Sequence, residues 1–158
     1  KTVMLKTVKR KSQATGGNYV IVTSEYNRRY VDSMVKAAKN CLTEARADSI
    51  KIIRVPGAYE IPVVLTNILK NGSTKISAII CLGVIIRGET AHAQLIGESV
   101  TEAITRLQID FGVPIIHEVL LLENIQQAEK RCLDPEHNRG YEAAQTAVTM
   151  AKIIKSIS

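Results

Sequence analysis

Ile76-Ser77-Ala78-Ile79-Ile80-Cys81-Leu82-Gly83-Val84 is apolar almost throughout. A sheet strand with one wet face alternates apolar and polar residues, whereas a continuous run is expected of a strand with helices over both faces. The flanking sequence supplies those helices. Before the run, residues 19–23 (YVIVT) and 50–55 (IKIIRV) are short β-branched stretches, the second stopped by Pro56-Gly57. Between them Val31, Met34, Val35, Ala38, Cys41, Leu42 and Ala45 recur at three- and four-residue steps, the period of an amphipathic helix. Ile61, Val64, Leu65, Ile68 and Leu69 trace a second helix, with Pro62 in its first turn and Asn71-Gly72 at its end. After the run, Leu95, Ile96, Val100, Ala103, Ile104 and Leu107 form a third helix, and Gly112 ends it. Residues 113–122 make a fourth strand, residues 124–131 a short helix, and residues 141–154 a last helix with Ala144, Ala147, Val148 and Ala151 inward.

Strands alternating with helices imply a parallel sheet with right-handed crossovers, here a four-stranded α/β/α sandwich of three layers. The chain has 158 residues, the size of one domain. No internal repeat, linker or low-complexity segment divides it. Residues 18–158 read as a single folded unit and residues 1–17 as a basic tail or strand.

Hydrophobic residues make up 46% of the chain and charged residues 23%, which excludes intrinsic disorder. With Tyr 5, Phe 1 and Trp 0, the chain is too poor in aromatics to build a stacking platform for single-stranded nucleic acid. The net charge of +6 is concentrated in Lys1, Lys6, Lys9, Arg10 and Lys11, so the remainder carries only +1 and offers no basic face for nucleic acid. Cys41, Cys81 and Cys132 are odd in number and lack CxxC spacing, as expected of free thiols in a reducing cytosol. No apolar signal-peptide core is visible, and the longest apolar run is far short of the ~20 residues of a membrane span. A cytoplasmic protein without a membrane partner is therefore expected.

Open parallel sheets bind ligands beyond the carboxyl ends of their strands. That rule singles out residues 24–27, 56–60, 85–92 and the segment after strand four. In the third of these, Gly83-Val84-Ile85-Ile86-Arg87-Gly88-Glu89-Thr90 has nearly the spacing of a phosphate loop, but Glu89 stands where the phosphate-reaching lysine would be. The acid argues against a nucleotide triphosphatase. Gly88-Glu89-Thr90 is either a cradle for one small anion or an ordinary helix start with an acidic first turn. His92 follows, either as a turn-terminating residue or as a proton shuttle. His92, His117 and His137 lack paired ligand spacing, so no metal site is expected. Arg131 and Arg139 flank a polar break, as solvated helix-end residues or as a fork for a phosphate or a polar heterocycle. No nucleophile elbow, Cys/His pair or close carboxylate pair supports a hydrolase.

Pro56-Gly57-Ala58-Tyr59-Glu60-Ile61-Pro62, the stretch from Gly83 to His92, Gly112-Val113-Pro114, Glu123-Asn124-Ile125, Gln127-Ala128, Arg131 and Asn138-Arg139-Gly140 together resemble the lumazine synthase family, in order and over about residues 18–155. The resemblance implies a flavodoxin-like fold and a transferase of riboflavin biosynthesis. The reaction would condense 5-amino-6-(D-ribitylamino)uracil with 3,4-dihydroxy-2-butanone 4-phosphate, giving 6,7-dimethyl-8-ribityllumazine and phosphate without metal or organic cofactor. The alternative is a non-catalytic lumazine- or flavin-binding shell protein of the same fold, whose mark would be a lost His92 or Arg131; both are present.

By the same resemblance Tyr26 stacks on the pyrimidine with Asn27 beside it. Ala58, Tyr59 and Glu60 hold the ribityl chain, and the backbone of Val84, Ile85 and Ile86 reads the pyrimidine edge. Glu89 and Thr90 bind phosphate with Arg131 as their cationic partner, and His92 transfers protons. His117 stands where many members carry phenylalanine over the heterocycle, and Arg139 where a lysine contacts the pyrimidine. Leu121-Leu122 replace small polar residues. The family assembles as pentamers, in some members packed as dimers of pentamers or as a 60-subunit icosahedral shell. Each site would be shared, with Tyr26, Ala58, Tyr59, Glu60, Ile85 and His92 from one chain and His117, Arg131 and Arg139 from its neighbour.

Overall fold

A computed structural model of the chain describes residues 16–158; the basic residues from Lys1 to Lys11 lie outside them. Four strands, β1 (Asn18–Ser24), β2 (Ser49–Val55), β3 (Ala78–Ile86) and β4 (Ile115–Leu122), form one sheet in the order β2-β1-β3-β4. Every pairing is parallel. Five helices connect and cover them: α1 (Arg28–Glu44), α2 (Ile61–Asn71), α3 (His92–Phe111), α4 (Ile125–Ala128) and α5 (Arg139–Ile157). This is the flavodoxin-like three-layer sandwich.

Alternation along the strands builds two cores. On one face Tyr19 and Ile21 of β1 and Ile80 and Leu82 of β3 meet Val31, Met34, Ala38 and Leu42 of α1 and Ala143, Ala144 and Ala147 of α5. On the other, Val20, Val22, Ile79 and Cys81 meet Ile61 and Leu65 of α2 and Val100 and Ile104 of α3. All seven apolar positions anticipated for the first helix are buried. The α1–α5 contact is so close that a Cβ at Gly140 would sit 2.1 Å from the Met34 carbonyl oxygen, which only glycine permits. All three cysteines are buried and free. Among the described residues no helix is long and apolar enough to cross a membrane.

Several boundaries differ from the sequence expectation, each for a hydrogen-bonding reason. β3 runs on through Ile85 and Ile86, which pair with Leu121 and Leu122, so these two residues are strand rather than loop. β4 begins at Ile115 because Pro114 has no N–H to give; only its carbonyl joins the ladder, accepting from Ile79 at 2.8 Å. The helix expected over residues 124–131 is a single turn, α4, followed by a wider π-helical turn, Glu129–Leu133. α5 starts two residues early because Asn138, 7% exposed, caps it, its Oδ1 accepting from the N–H groups of Gly140 at 2.8 Å and Tyr141 at 3.3 Å. Gly72 ends α2 in an extended conformation (φ −69°) and is needed for closeness, since a Cβ there would lie 2.9 Å from the Ile68 carbonyl oxygen.

Candidate active site

The carboxyl ends of β1 and β3 and the turn after β2 converge on a cavity of about 780 Å³. Its lining includes Tyr26, Asn27, Ala58, Tyr59, Glu60, Val84, Ile85, Ile86 and His92, nine residues that the sequence nominates from three separate segments. Parallel strands bring them together, because every β-to-α turn leaves the sheet at the same end.

Each wall has a local cause. Asn27 adopts a left-handed backbone (φ 57°), which asparagine tolerates better than most residues. Its side-chain Nδ2 donates to the Val84 carbonyl at 2.7 Å, tying the β1–α1 turn to β3. That carbonyl is therefore engaged within the chain. Tyr26 is 70% exposed and lies across Gly57, where a Cβ would come within 3.5 Å of its ring. Pro56-Gly57 thus both stops β2 and lets an aromatic ring rest on bare backbone. The turn Ala58–Glu60 closes on itself through Glu60, whose Oε2 accepts the Gly57 N–H at 3.0 Å.

His92 opens α3 at the cavity edge, and its backbone N–H donates to Thr90 Oγ1 at 3.4 Å. Leu95, Ile96 and Ser99 continue the same wall. Reading three, four and seven residues on from His92 would have found them. Leu95, read only as part of the third helix's apolar period, is 63% exposed and faces the cavity. Glu89 and Thr90 lie in the exposed turn before α3, outside the lining. Arg87 anchors that turn: its Nη1 pairs with Glu123 at 3.2 Å, its other Nη donates to Gln94, and its N–H bonds the Leu122 carbonyl at 2.8 Å.

His117, Arg131 and Arg139 are not part of this lining. His117 lies on β4, an edge strand, and burial lowers its imidazole below the ordinary histidine value. Arg131 projects from the π-helical turn and reaches Gln127 Oε1 at 3.4 Å. Arg139 heads α5 and pairs with Glu142 at 3.1 Å. Ser33 Oγ and Asn138 Nδ2 hold the segment between the two arginines, donating to the Cys132 carbonyl at 2.6 and 2.8 Å. Glu118, which the sequence reading passes over, is largely buried beside Arg139 and Glu142, and burial pushes its carboxyl up to about 7. Among the described residues no His, Cys, Asp or Glu side chains group to hold a metal ion.

The cavity therefore offers an exposed aromatic ring, backbone edges, a carboxylate and a histidine. The family described as 6,7-dimethyl-8-ribityllumazine synthase matches residues 16–155. Proteins named 6,7-dimethyl-8-ribityllumazine synthase from two strains of Clostridium kluyveri are each 34% identical over 155 residues, covering 97% of this chain and 99% of their own length. The chain belongs to the 6,7-dimethyl-8-ribityllumazine synthase family.

Proposed function

We propose that this chain condenses 5-amino-6-(D-ribitylamino)uracil with 3,4-dihydroxy-2-butanone 4-phosphate, releasing 6,7-dimethyl-8-ribityllumazine and phosphate. The observation that carries the reading is the gathering of nine nominated residues, His92 among them, around one cavity at the strand ends. The pyrimidine lies against Tyr26 and Asn27 and along the β3 backbone at Val84, Ile85 and Ile86. Ala58, Tyr59 and Glu60 hold the ribityl chain, the carboxylate accepting from its hydroxyls. The phosphate sits at the Glu89-Thr90 turn, beside the start of α3, where the positive end of the helix dipole favours an anion.

The chemistry then needs proton transfer and little else. The substrate amine attacks the ketone carbonyl and water is lost. Loss of a proton from the hydroxyl-bearing carbon expels the phosphate as an anion and leaves an enol, which tautomerises to a new ketone, and the ribitylamino nitrogen closes the ring on that carbonyl with loss of a second water. Proton transfers of this kind suit an imidazole, which titrates near neutral pH, and His92 stands at the cavity edge to supply it.

His117, Arg131 and Arg139 complete the site from a neighbouring copy in a ring of five. Their position outside the lining of their own chain's cavity supports this, as does a lining that contains neither arginine nor lysine. The head-to-tail contact of a cyclic ring sets one face of each subunit against the opposite face of the next. The turn that follows the π-helical turn is tight, with Asp134 accepting from the Glu136 N–H at 3.0 Å and pairing with His137 at 3.0 Å. Such a compact turn leaves room for rings to pack into a 60-subunit shell. The deciding experiment is turnover: phosphate release that requires both substrates supports the enzyme, and none with both present refutes it.

A further inference from the structure

His117 has both ring nitrogens engaged. Its Nδ1 faces the Val119 N–H at 3.1 Å, and a backbone N–H can only donate, so Nδ1 carries no proton. Its Nε2 lies 2.8 Å from Thr101 Oγ1. The single hydroxyl proton of Thr101 is given to the Gly97 carbonyl at 2.7 Å, so towards His117 the hydroxyl oxygen accepts. The ring proton is therefore on Nε2. Around the ring, α3 supplies Thr101, and β3 sets Cys81 opposite it in register, a thiol that burial keeps protonated. Burial disfavours an imidazolium there.

We propose that Thr101 is a positioning residue, holding the His117 ring in one tautomer and one orientation so that the neutral imidazole presents a flat face to the pyrimidine. This rests on the reading of His117 as the heterocycle's platform. A phenylalanine keeps such a face by shape alone. A histidine has two nitrogens that must be satisfied, and if either turned toward the heterocycle the platform would be lost. The Val119 N–H fixes one nitrogen and Thr101 the other.

The test uses Thr101→Val, Thr101→Ser and His117→Ala in the assembled protein, with ring-nitrogen NMR of His117 and steady-state phosphate release varying each substrate in turn. The wild type should show a hydrogen-bonded Nε2–H resonance that Thr101→Val loses. The same variant should raise KM for the pyrimidine by about 2- to 10-fold, the worth of one neutral hydrogen bond, and leave KM for the butanone phosphate unmoved. Thr101→Ser should restore both readouts. A proton on Nδ1 in the wild type, or an Nε2–H resonance that survives Thr101→Val, overturns the inference. So does an unchanged pyrimidine KM in Thr101→Val when His117→Ala raises it. If His117→Ala itself leaves the pyrimidine KM unchanged, the platform reading fails and the inference falls with it.

Discussion

Replacing Glu118 by glutamine keeps the shape of a largely buried side chain and removes its ability to ionise. Burial is the leading cause of its raised affinity for protons, from an ordinary 4.5 to about 7; Glu142 adds to it and Arg139 opposes it. In the unfolded chain the carboxyl loses its proton near the ordinary value. Between the two values the folded state therefore holds more protons than the unfolded state, and stability falls as pH rises through the window from about 4.5 to about 7. At about 1.4 kcal/mol per tenfold change in proton affinity, the full cost above that window is about 3 kcal/mol per subunit. The amide carries no such cost. Urea unfolding at fixed protomer concentration, because assembly couples to stability, should find wild type and Glu118→Gln close together at pH 4.5. By pH 8 the variant should be ahead by about 1–3 kcal/mol. His117 contributes a slope of the opposite sign, since its lowered proton affinity makes the folded state lose stability as pH falls, but both proteins share it and it cancels. Parallel stability curves from pH 4.5 to 8 would show that Glu118 ionises as freely in the fold as in the unfolded chain, and the burial argument would be wrong.

The other expectations concern turnover and assembly. His92→Ala should lower kcat by roughly 10²–10⁴, the reach of general acid–base catalysis; unchanged kcat across pH 6–8 would remove His92 from proton transfer. Arg131→Ala should weaken the butanone phosphate by about 10- to 150-fold, the worth of one charge-assisted bond, and the pyrimidine far less; equal losses would detach Arg131 from the phosphate. When His92→Ala and Arg131→Ala chains are denatured, mixed equally and refolded together, about a quarter of head-to-tail sites should be intact, and no recovery above the two parents from a properly reassembled mixture would refute the shared site. Electron micrographs at high protein concentration should show closed shells; small pentameric discs alone would count against the compact turn as a shell contact.

How much of this was legible beforehand depends on the range of the interaction concerned. Helix periodicity is local: three- and four-residue spacing put all seven predicted α1 positions in the core without knowledge of what they meet. The strand-end rule is also local once the strands are known, and it nominated every segment that lines the cavity except the inner turns of α3. Leu95 shows where periodicity stops. It lies on the apolar stripe of α3, yet it is exposed and lines the cavity rather than the core.

The alternation of strand and helix, the three-layer class, the family through motifs in register and nine of the cavity residues can all be read along the chain. The tertiary structure alone decided the strand order β2-β1-β3-β4, the extension of β3 to Ile86 and the π-helical turn that carries Arg131. It also decided the tautomer of His117 and the burial of Glu118. The division has a physical basis. Backbone propensity and apolar spacing act over a few residues and can be read along the chain. Strand order, proton position and desolvation depend on groups far apart in sequence, such as Thr101 and His117 or Glu118 and Arg139, which only the folded chain sets side by side.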